Sequence, residues 1–180
     1  MSIKIVQKGH PALHSPAVTI PIEEIPSKKI QKVITDMKKA LASQSDGVGL
    51  AAPQIGIPLR IFIVSGRIFD ESFERGKGIS ETQQTPDLVF INPEITKLSK
   101  KAAWLSEGCL SVRPLYGEVR RSLNATVRAY DENGVLLERG GGGLLAHIFQ
   151  HEVDHLNGIL FVDKARNIEE HAPEDYDKKS

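Results

Sequence analysis

Residues 150 to 158 read Gln-His-Glu-Val-Asp-His-Leu-Asn-Gly and contain the pattern His-Glu-x-x-His. On an α-helix, residues four apart lie on the same face, so His151 and His155 can hold one metal ion between them. Glu152 would then lie beside the ion as a general base for an attacking water. This arrangement is typical of enzymes that hydrolyse amides or esters.

The neighbours of Glu152 strengthen this interpretation, because two histidines at this spacing also occur by chance in many helices. Leu145, Phe149 and Leu156 lie on the same helical stripe as Glu152. A carboxylate in an apolar stripe is costly unless it has a partner. A water bound to a metal ion would be such a partner.

A catalytic metal site usually has three protein ligands and one open position, and three places could supply the third ligand. The extended metzincin pattern requires a histidine where this chain has Phe161. A downstream glutamate is the second possibility, and Glu169 and Glu170 are available, but they lie in a charged tail. Cys109, the only cysteine, follows Gly108 and could be either a small buried hydrophobe or a thiolate ligand.

Three segments of the chain resemble the signature motifs of peptide deformylases. They are residues 47–56 (Gly-Val-Gly-Leu-Ala-Ala-Pro-Gln-Ile-Gly), 107–111 (Glu-Gly-Cys-Leu-Ser) and 150–155 (Gln-His-Glu-Val-Asp-His). The resemblance spans the chain from about His10 to Asp163. It implies a metal-dependent hydrolase that removes the N-formyl group from the initiator methionine of new polypeptides and releases formate. The implied substrates are N-formylmethionyl nascent peptides, and the ribosome is a candidate partner.

The resemblance also implies roles for individual residues. The implied metal ligands are Cys109, His151 and His155. Glu152 would activate the water and pass its proton to the leaving amine, while Gln54 and the backbone N–H of Leu110 would hold the developing oxyanion. One thiolate and two imidazoles suit Zn(II) or Fe(II), and the resemblance implies one Fe(II) per chain, replaceable by Zn(II) or Ni(II).

A further set of residues matches family positions that line the methionine pocket or pair with the peptide backbone. These are Val48, Gly49, Leu105, Gly108, Leu144, His147 and Ile148. His147 is the odd member, and it either lines the mouth of the pocket or faces solvent. Glu107 and Arg121 are candidates for a second layer, in which the carboxylate orients a metal-bound histidine and the arginine neutralises it. Two unrelated surface charges are the alternative for Arg121.

The chain departs from the family pattern in two places. Arg113 stands where the family usually has proline, and Pro114 comes one residue later, which predicts a different loop after Cys109. The run 140–143 is four glycines, which predicts a flexible loop before the metal-binding helix, either without a function or as a mobile lip near the substrate cleft. Residues 66–87 form a long polar segment, which is interpreted as an exposed loop between strands.

The composition restricts the class of protein. At 180 residues one domain is expected, with a catalytic domain over residues 1–165 and a charged, partly disordered tail over residues 166–180. The 23 basic and 23 acidic residues cancel, so no global field attracts nucleic acid, and no nucleic-acid motif is present. A single cysteine fits a reducing compartment, here the bacterial cytoplasm, with a mature organellar form as alternative. No apolar run is long enough to span a membrane.

The hydrophobic periodicity predicts a mixed α and β chain. Helices are expected near residues 28–43 and 144–157, the second ending at Gly158. Strands are expected near residues 60–64 and 88–91, with a hairpin formed by 125–130 and 135–138. Together they predict an α+β fold with antiparallel or mixed β-sheets packed around a central metal-binding helix. An internal peptidase and a catalytically inactive metal-binding homologue are the alternative functions.

Overall fold

The protein consists of helices and antiparallel sheets in a computed structural model that describes residues 3–71, 73 and 85–171. The helices are α1 (Lys28–Ala42) and α2 (Gly143–Leu156). The strands are β1 (Gly49–Ala51), β2 (Ile61–Val64), β3 (Leu88–Leu98), β4 (Ala102–Gly108), β5 (Leu115–Ser122), β6 (Asn124–Tyr130), β7 (Leu136–Gly142) and β8 (Arg166–Glu170). No helix among these residues has the length and apolar character needed to cross a bilayer.

The strands form two antiparallel sheets, with orders β1-β2-β3-β6-β7 and β4-β5-β8. Helix α2 contacts strands of both sheets, among them β1, β6 and β5. The predicted α+β class is therefore confirmed, with the sheets packed around the central helix that carries His151 and His155.

Helix α2 is anchored by the side chains that it buries against the larger sheet. Phe149 meets Phe90 edge to face at a centroid distance of 5.3 Å, and Phe90 stacks on Phe62 at 4.7 Å. The helix ends as predicted, because Gly158 adopts a left-handed φ of 73°. A Cβ on Gly158 would lie 2.9 Å from backbone atoms of His14 and Ser15, so only glycine fits here.

Helix α1 follows the predicted amphipathic pattern. It begins after Ser27, whose hydroxyl accepts a hydrogen bond from the Ile30 amide at 3.4 Å. The expected apolar face is buried: Ile30, Val33, Ile34, Met37 and Leu41. This face packs with residues of β1, β2 and β3 in one core cluster. Helix α1 therefore supports β1, which lies within the first motif, and β2, which follows it.

The glycine run before α2 was predicted to be a flexible loop, and this prediction is wrong for three of its four residues. Gly140, Gly141 and Gly142 belong to β7 and pair with Thr126, Ala125 and Asn124. The backbone hydrogen bonds of the hairpin continue through the run, which therefore leads from β7 into α2 without a loop. Small residues are needed there because a Cβ on Gly141 would lie 2.7 Å from Leu145.

Strand β3 is longer than the predicted segment 88–91, since it continues to Leu98 and pairs with β6 beyond a bulge near Asn92. The hairpin β4–β5 was not predicted. Within the segment 66–87, residues 66–69 form a 3-10 turn, and the Gly66 amide donates to Asp87 at 2.9 Å. Residues 72 and 74–84 lie outside the described part of the chain.

The segment beyond residue 165 was grouped with a charged tail in the sequence analysis. Residues 166–170 instead form β8, which pairs with β5 through Leu115 and Glu170, Tyr116 and Glu169, and Glu118 and Arg166. Residues 172–180, the rest of the predicted tail, lie outside the described residues. The smaller sheet therefore extends to residue 170.

Candidate metal centre

The structure brings together the three predicted metal ligands. Cys109 directly follows β4, and His151 and His155 lie one turn apart on α2. Nε2 of His155 is 3.2 Å from Sγ of Cys109 and 3.2 Å from Nε2 of His151. One ligand atom from each residue lies within 4.8 Å of the other two. This spacing suits three donors around one ion, with a fourth position left for water or substrate.

The charges around the two imidazoles also fit a cation. Burial by itself lowers the pKa of His151, but its hydrogen bonds to Cys109 and Glu107 raise that pKa well above the ordinary value. Burial and the neighbouring His151 lower the pKa of His155, whose imidazole is therefore neutral with a lone pair available. A thiol and a carboxylate held against two imidazoles favour a positive charge at their centre.

The carboxylate of Glu152 is buried, and Oε2 has no hydrogen-bond partner among the described residues. Burial raises the pKa of Glu152 to about 7. Gly49 on β1 lies directly against it, since a Cβ there would be 2.7 Å from Oε1. A buried carboxylate that titrates near neutrality and follows a metal ligand suits a group that accepts and returns a proton.

The side chain of Gln54 is held beside the thiol. Its Oε1 accepts from the Ala51 amide at 2.8 Å, which turns Nε2 towards Ser111 Oγ at 3.2 Å and Cys109 Sγ at 3.5 Å. Leu110 follows Cys109 directly, and its carbonyl accepts from Gln7 at 3.1 Å. The predicted oxyanion donors, Gln54 and the Leu110 amide, are thus anchored on the two segments that flank the thiol.

Glu107 and Arg121 are in contact, as the sequence analysis anticipated. Nε and one terminal nitrogen of Arg121 donate to the two carboxylate oxygens of Glu107 at 3.0 and 2.7 Å, and Nδ1 of His151 lies 2.5 Å from Oε1. Arg121 is only 4% exposed, which excludes an unrelated surface charge. Burial alone would raise the pKa of Glu107, but hydrogen bonds from His147, His151 and Arg121 hold it well below the usual range.

Sequence reasoning did not assign three members of this network: Asp154, Lys164 and His147. The second terminal nitrogen of Arg121 donates to Asp154 at 2.6 Å, and Lys164 donates to the other oxygen of Asp154 at 2.7 Å. His147 is 6% exposed, which excludes the solvent-facing alternative and leaves its place at the pocket mouth a prediction. Its Nε2 lies 2.7 Å from Oε2 of Glu107. The spacing of four residues between His147 and His151 was the available signal.

The remaining predicted residues occupy the edges of the two sheets and one face of α2. Gly49 lies on β1 and Leu105 and Gly108 lie on β4, each an edge strand of its sheet. Ile148 on α2 also approaches Gly49, with Cγ2 3.0 Å from the place of its Cβ. Val48 and Leu144 are half-buried and pack against the core cluster around α2.

Arg113, which stands where the resemblance leads one to expect proline, joins the loop after Cys109 to the segment before β1. A terminal nitrogen of its guanidinium lies 2.5 Å from Asp46 Oδ1, and the other lies 3.4 Å from Gln44 Oε1. The Arg113–Pro114 peptide bond is cis. The departure from the family pattern therefore produces a specific contact between these two segments.

The chain is similar to known proteins along most of its length. The family model described as polypeptide deformylase matches residues 2–171. Peptide deformylase 1A, chloroplastic, of Solanum lycopersicum is 43% identical over 89% of this chain and 58% of its own length. The peptide deformylase of Thermomicrobium roseum is 40% identical over 89% of this chain and 84% of its own length. The chain thus spans about three fifths of the Solanum lycopersicum relative.

Solved structures agree in fold. The peptide deformylase of Synechococcus elongatus in complex with actinonin superimposes with a TM-score of 0.78 at 34% identity, covering 92% of this chain and 81% of that one. The Met-Ala-Ser-bound class I type b peptide deformylase of Acinetobacter baumannii gives a TM-score of 0.77 at 32% identity, covering 91% and 99%.

Proposed function

The chain belongs to the polypeptide deformylase family, and we propose that it hydrolyses the N-formyl group from the N-terminal methionine of newly made polypeptides and releases formate. The single observation that supports this most strongly is the buried Glu152 carboxylate beside the Cys109, His151 and His155 group. The internal-peptidase and inactive-homologue alternatives find no comparable support.

The proposed cofactor is one divalent ion per chain held by these three residues. One thiolate and two imidazoles suit several borderline divalent metals and do not choose between them. Fe(II) is the proposed native ion because the family resemblance implies it, with Zn(II) or Ni(II) able to replace it. When bound, the ion polarises the formyl carbonyl and lowers the pKa of a nucleophilic water.

Residues of the chain perform the remaining steps of the proposed reaction. Glu152 accepts the proton of the attacking water, for which a pKa of about 7 is suited. The N–H groups of Gln54 and Leu110 donate to the carbonyl oxygen as it becomes negative. Glu152 then gives the proton to the amine nitrogen as the carbon–nitrogen bond breaks, and formate and the free methionyl peptide leave.

Recognition of the substrate is proposed to use the edges of the sheets. An apolar slot for the methionine side chain is formed by Val48, which precedes β1, by Leu144 and Ile148 of α2, and by Leu105 of β4. The backbones of Gly49 and Gly108 pair with the peptide as an added strand, which edge strands such as β1 and β4 permit. The Met-Ala-Ser ligand of the similar Acinetobacter enzyme is consistent with a peptide that begins with methionine.

The proposed catalytic domain is residues 1–165, with β8 extending its sheet. The substrate is a nascent chain, so the ribosome is the proposed partner, and co-sedimentation with translating ribosomes tests it. A reducing compartment is proposed because a free thiol is a metal ligand. The bacterial cytoplasm is the first choice, and an organelle is the alternative because plant relatives are named chloroplastic or mitochondrial.

The proposed function is tested by formate release from a short formyl-Met peptide, using protein purified anaerobically with Fe(II). We expect turnover that a chelator abolishes, and no turnover of the acetylated peptide. Glu152→Ala is expected to keep one metal per chain and to lose turnover by about 10²–10⁴-fold or more. The proposal fails if the metal-loaded wild type releases no formate.

A further inference from the structure

The carboxylate of Glu107 is the centre of a buried group that joins β4, β5 and α2. Oε1 lies 2.5 Å from Nδ1 of His151 and 2.7 Å from Arg121, and Oε2 lies 2.7 Å from Nε2 of His147 and 3.0 Å from Nε of Arg121. Glu107 is 2% exposed, so these contacts replace water around a full negative charge. Each carboxylate oxygen of Glu107 has two hydrogen-bond partners.

These contacts decide which nitrogens carry hydrogen. An ionised carboxylate only accepts, so Nε2 of His147 and Nδ1 of His151 are both protonated. With hydrogen held on Nδ1, Nε2 is the nitrogen of His151 that remains to bind a metal ion, and it lies 3.2 Å from Nε2 of His155. The orientation of His151 therefore depends on the position of Oε1 of Glu107.

We propose that His147 is a positioning residue for the metal ligand His151, and that it acts by holding the second oxygen of Glu107. Arg121 approaches the carboxylate from β5, whereas His147 approaches it from α2, one turn before His151. His147 thus ties the carboxylate to the same helix that supplies two metal ligands. Without this bond Oε2 of Glu107 keeps only Arg121 as a partner, and the carboxylate can rotate so that Oε1 shifts relative to His151.

This role differs from the pocket role suggested by sequence. The polar end of His147 is directed to Glu107, and the residue is buried. The apolar members of the proposed pocket on the same helix, Leu144 and Ile148, make no such polar contact. His147 is therefore expected to influence metal binding rather than the choice of the substrate side chain.

The inference rests on the metal centre of the proposed function, but its test needs no turnover. The affinity for Zn(II) and for Co(II) is measured by competition with a chromophoric chelator, and the visible absorption of the Co(II) protein reports the ligand geometry. Three variants are compared with the wild type: His147→Leu, His147→Asn and His147→Gln. Leucine removes the N–H donor. Asparagine places an N–H closer to the backbone than Nε2, and glutamine places one at about the distance of Nε2.

Loss of an outer partner of a ligating histidine typically weakens metal binding by about 10–100-fold. We expect a loss of this size, with shifted Co(II) bands, in His147→Leu and His147→Asn, and recovery to within a few-fold of wild type in His147→Gln. Leu144→Ala is the matched control on the same helix, and its metal affinity is expected to be unchanged. Urea unfolding of each variant identifies any that is not folded.

The inference is overturned if folded His147→Leu and His147→Asn both bind metal with wild-type affinity and spectrum. It is also overturned if they change only the KM for formyl-Met peptides relative to formyl-norleucine peptides, because that result identifies a pocket residue. If the wild type binds metal and shows these variant effects but releases no formate, the proposed function fails while the inference stands.

Discussion

Replacing Gly49 by alanine is expected to displace the carboxylate of Glu152, the proposed general base, without removing it. The added Cβ would lie 2.7 Å from Oε1 of Glu152 and 3.0 Å from Cγ2 of Ile148. Restoring an ordinary contact of 3.4 Å moves the carboxylate by about 0.7 Å. A misplacement on the order of 1 Å at a reacting group costs about 100-fold in rate, so kcat is expected to fall by roughly 10–100-fold.

The three atoms nearest to the new methyl group belong to Glu152 and Ile148 and not to a proposed metal ligand, so metal content is expected to stay at one per chain. Overpacking a buried strand costs about 1–3 kcal/mol, which leaves the protein folded and is visible as a lower urea midpoint. The assay is formate release with the Fe(II) protein, with kcat and KM determined separately and metal content measured on the same samples.

Gly140→Ala is the matched control, because the Cβ it adds would find its nearest neighbour, Oγ1 of Thr126, at an ordinary 3.5 Å. Gly140→Ala is expected to keep wild-type kcat. The reasoning is refuted if Gly49→Ala has wild-type kcat at full metal occupancy, since Glu152 would then tolerate displacement. A fall in kcat that only follows lost metal would also refute it.

Arg121→Met is expected to destabilise the protein by about 3–5 kcal/mol in urea unfolding, because it leaves the buried Glu107 carboxylate without its cation; a loss under 1 kcal/mol contradicts this. The folded-state pKa of Glu107 is lowered, so its contribution to stability is present above the unfolded pKa of about 4.3 and is lost as the pH falls. Urea midpoints should therefore drop more steeply below about pH 5 in wild type than in Glu107→Gln, and equal slopes would argue against the assignment. Arg113→Ala removes an exposed ion pair with Asp46 and should lower the free energy of unfolding by about 0.2–1 kcal/mol. Because this pair joins the loop after Cys109 to the segment before β1, its loss should raise KM more than it lowers kcat. An unchanged KM would show that the pair does not help to shape the proposed substrate site. Gly158→Ala forces a left-handed φ and a 2.9 Å backbone contact on alanine, so thermal unfolding should shift downwards by several degrees, and an unchanged Tm would contradict the need for glycine.

Local patterns predicted the helices well because each helix is specified by residues close together in the chain. The apolar face of α1 recurs at helical spacing, and Gly158 marks the end of α2 through its own backbone conformation. The hairpin β6–β7 was found for the same reason, since its turn residues lie between two short apolar segments. The His-Glu-x-x-His spacing likewise fixed the relative positions of His151 and His155.

Strand pairing was predicted less well because it joins distant residues. The β4–β5 hairpin lacks a clean alternation of apolar and polar residues, since Glu107 and Arg121 occupy inward positions on it. These two charges are tolerated inside only because they meet each other and the histidines of α2. The glycine run was read as a loop because its place in a strand depends on hydrogen bonds from β6, which no local pattern reveals.

The sequence by itself determined the chemistry available to this protein: a cysteine, two histidines one turn apart, a glutamate between them and an amide donor in the first motif. The tertiary structure alone decided the surroundings that make these groups useful. Burial raises the pKa of Glu152, and folding brings Glu107 within hydrogen-bond distance of His151, Arg121 and His147. Those effects depend on dielectric and on distances between segments that are far apart in the chain, and both exist only once the sheets have closed around α2.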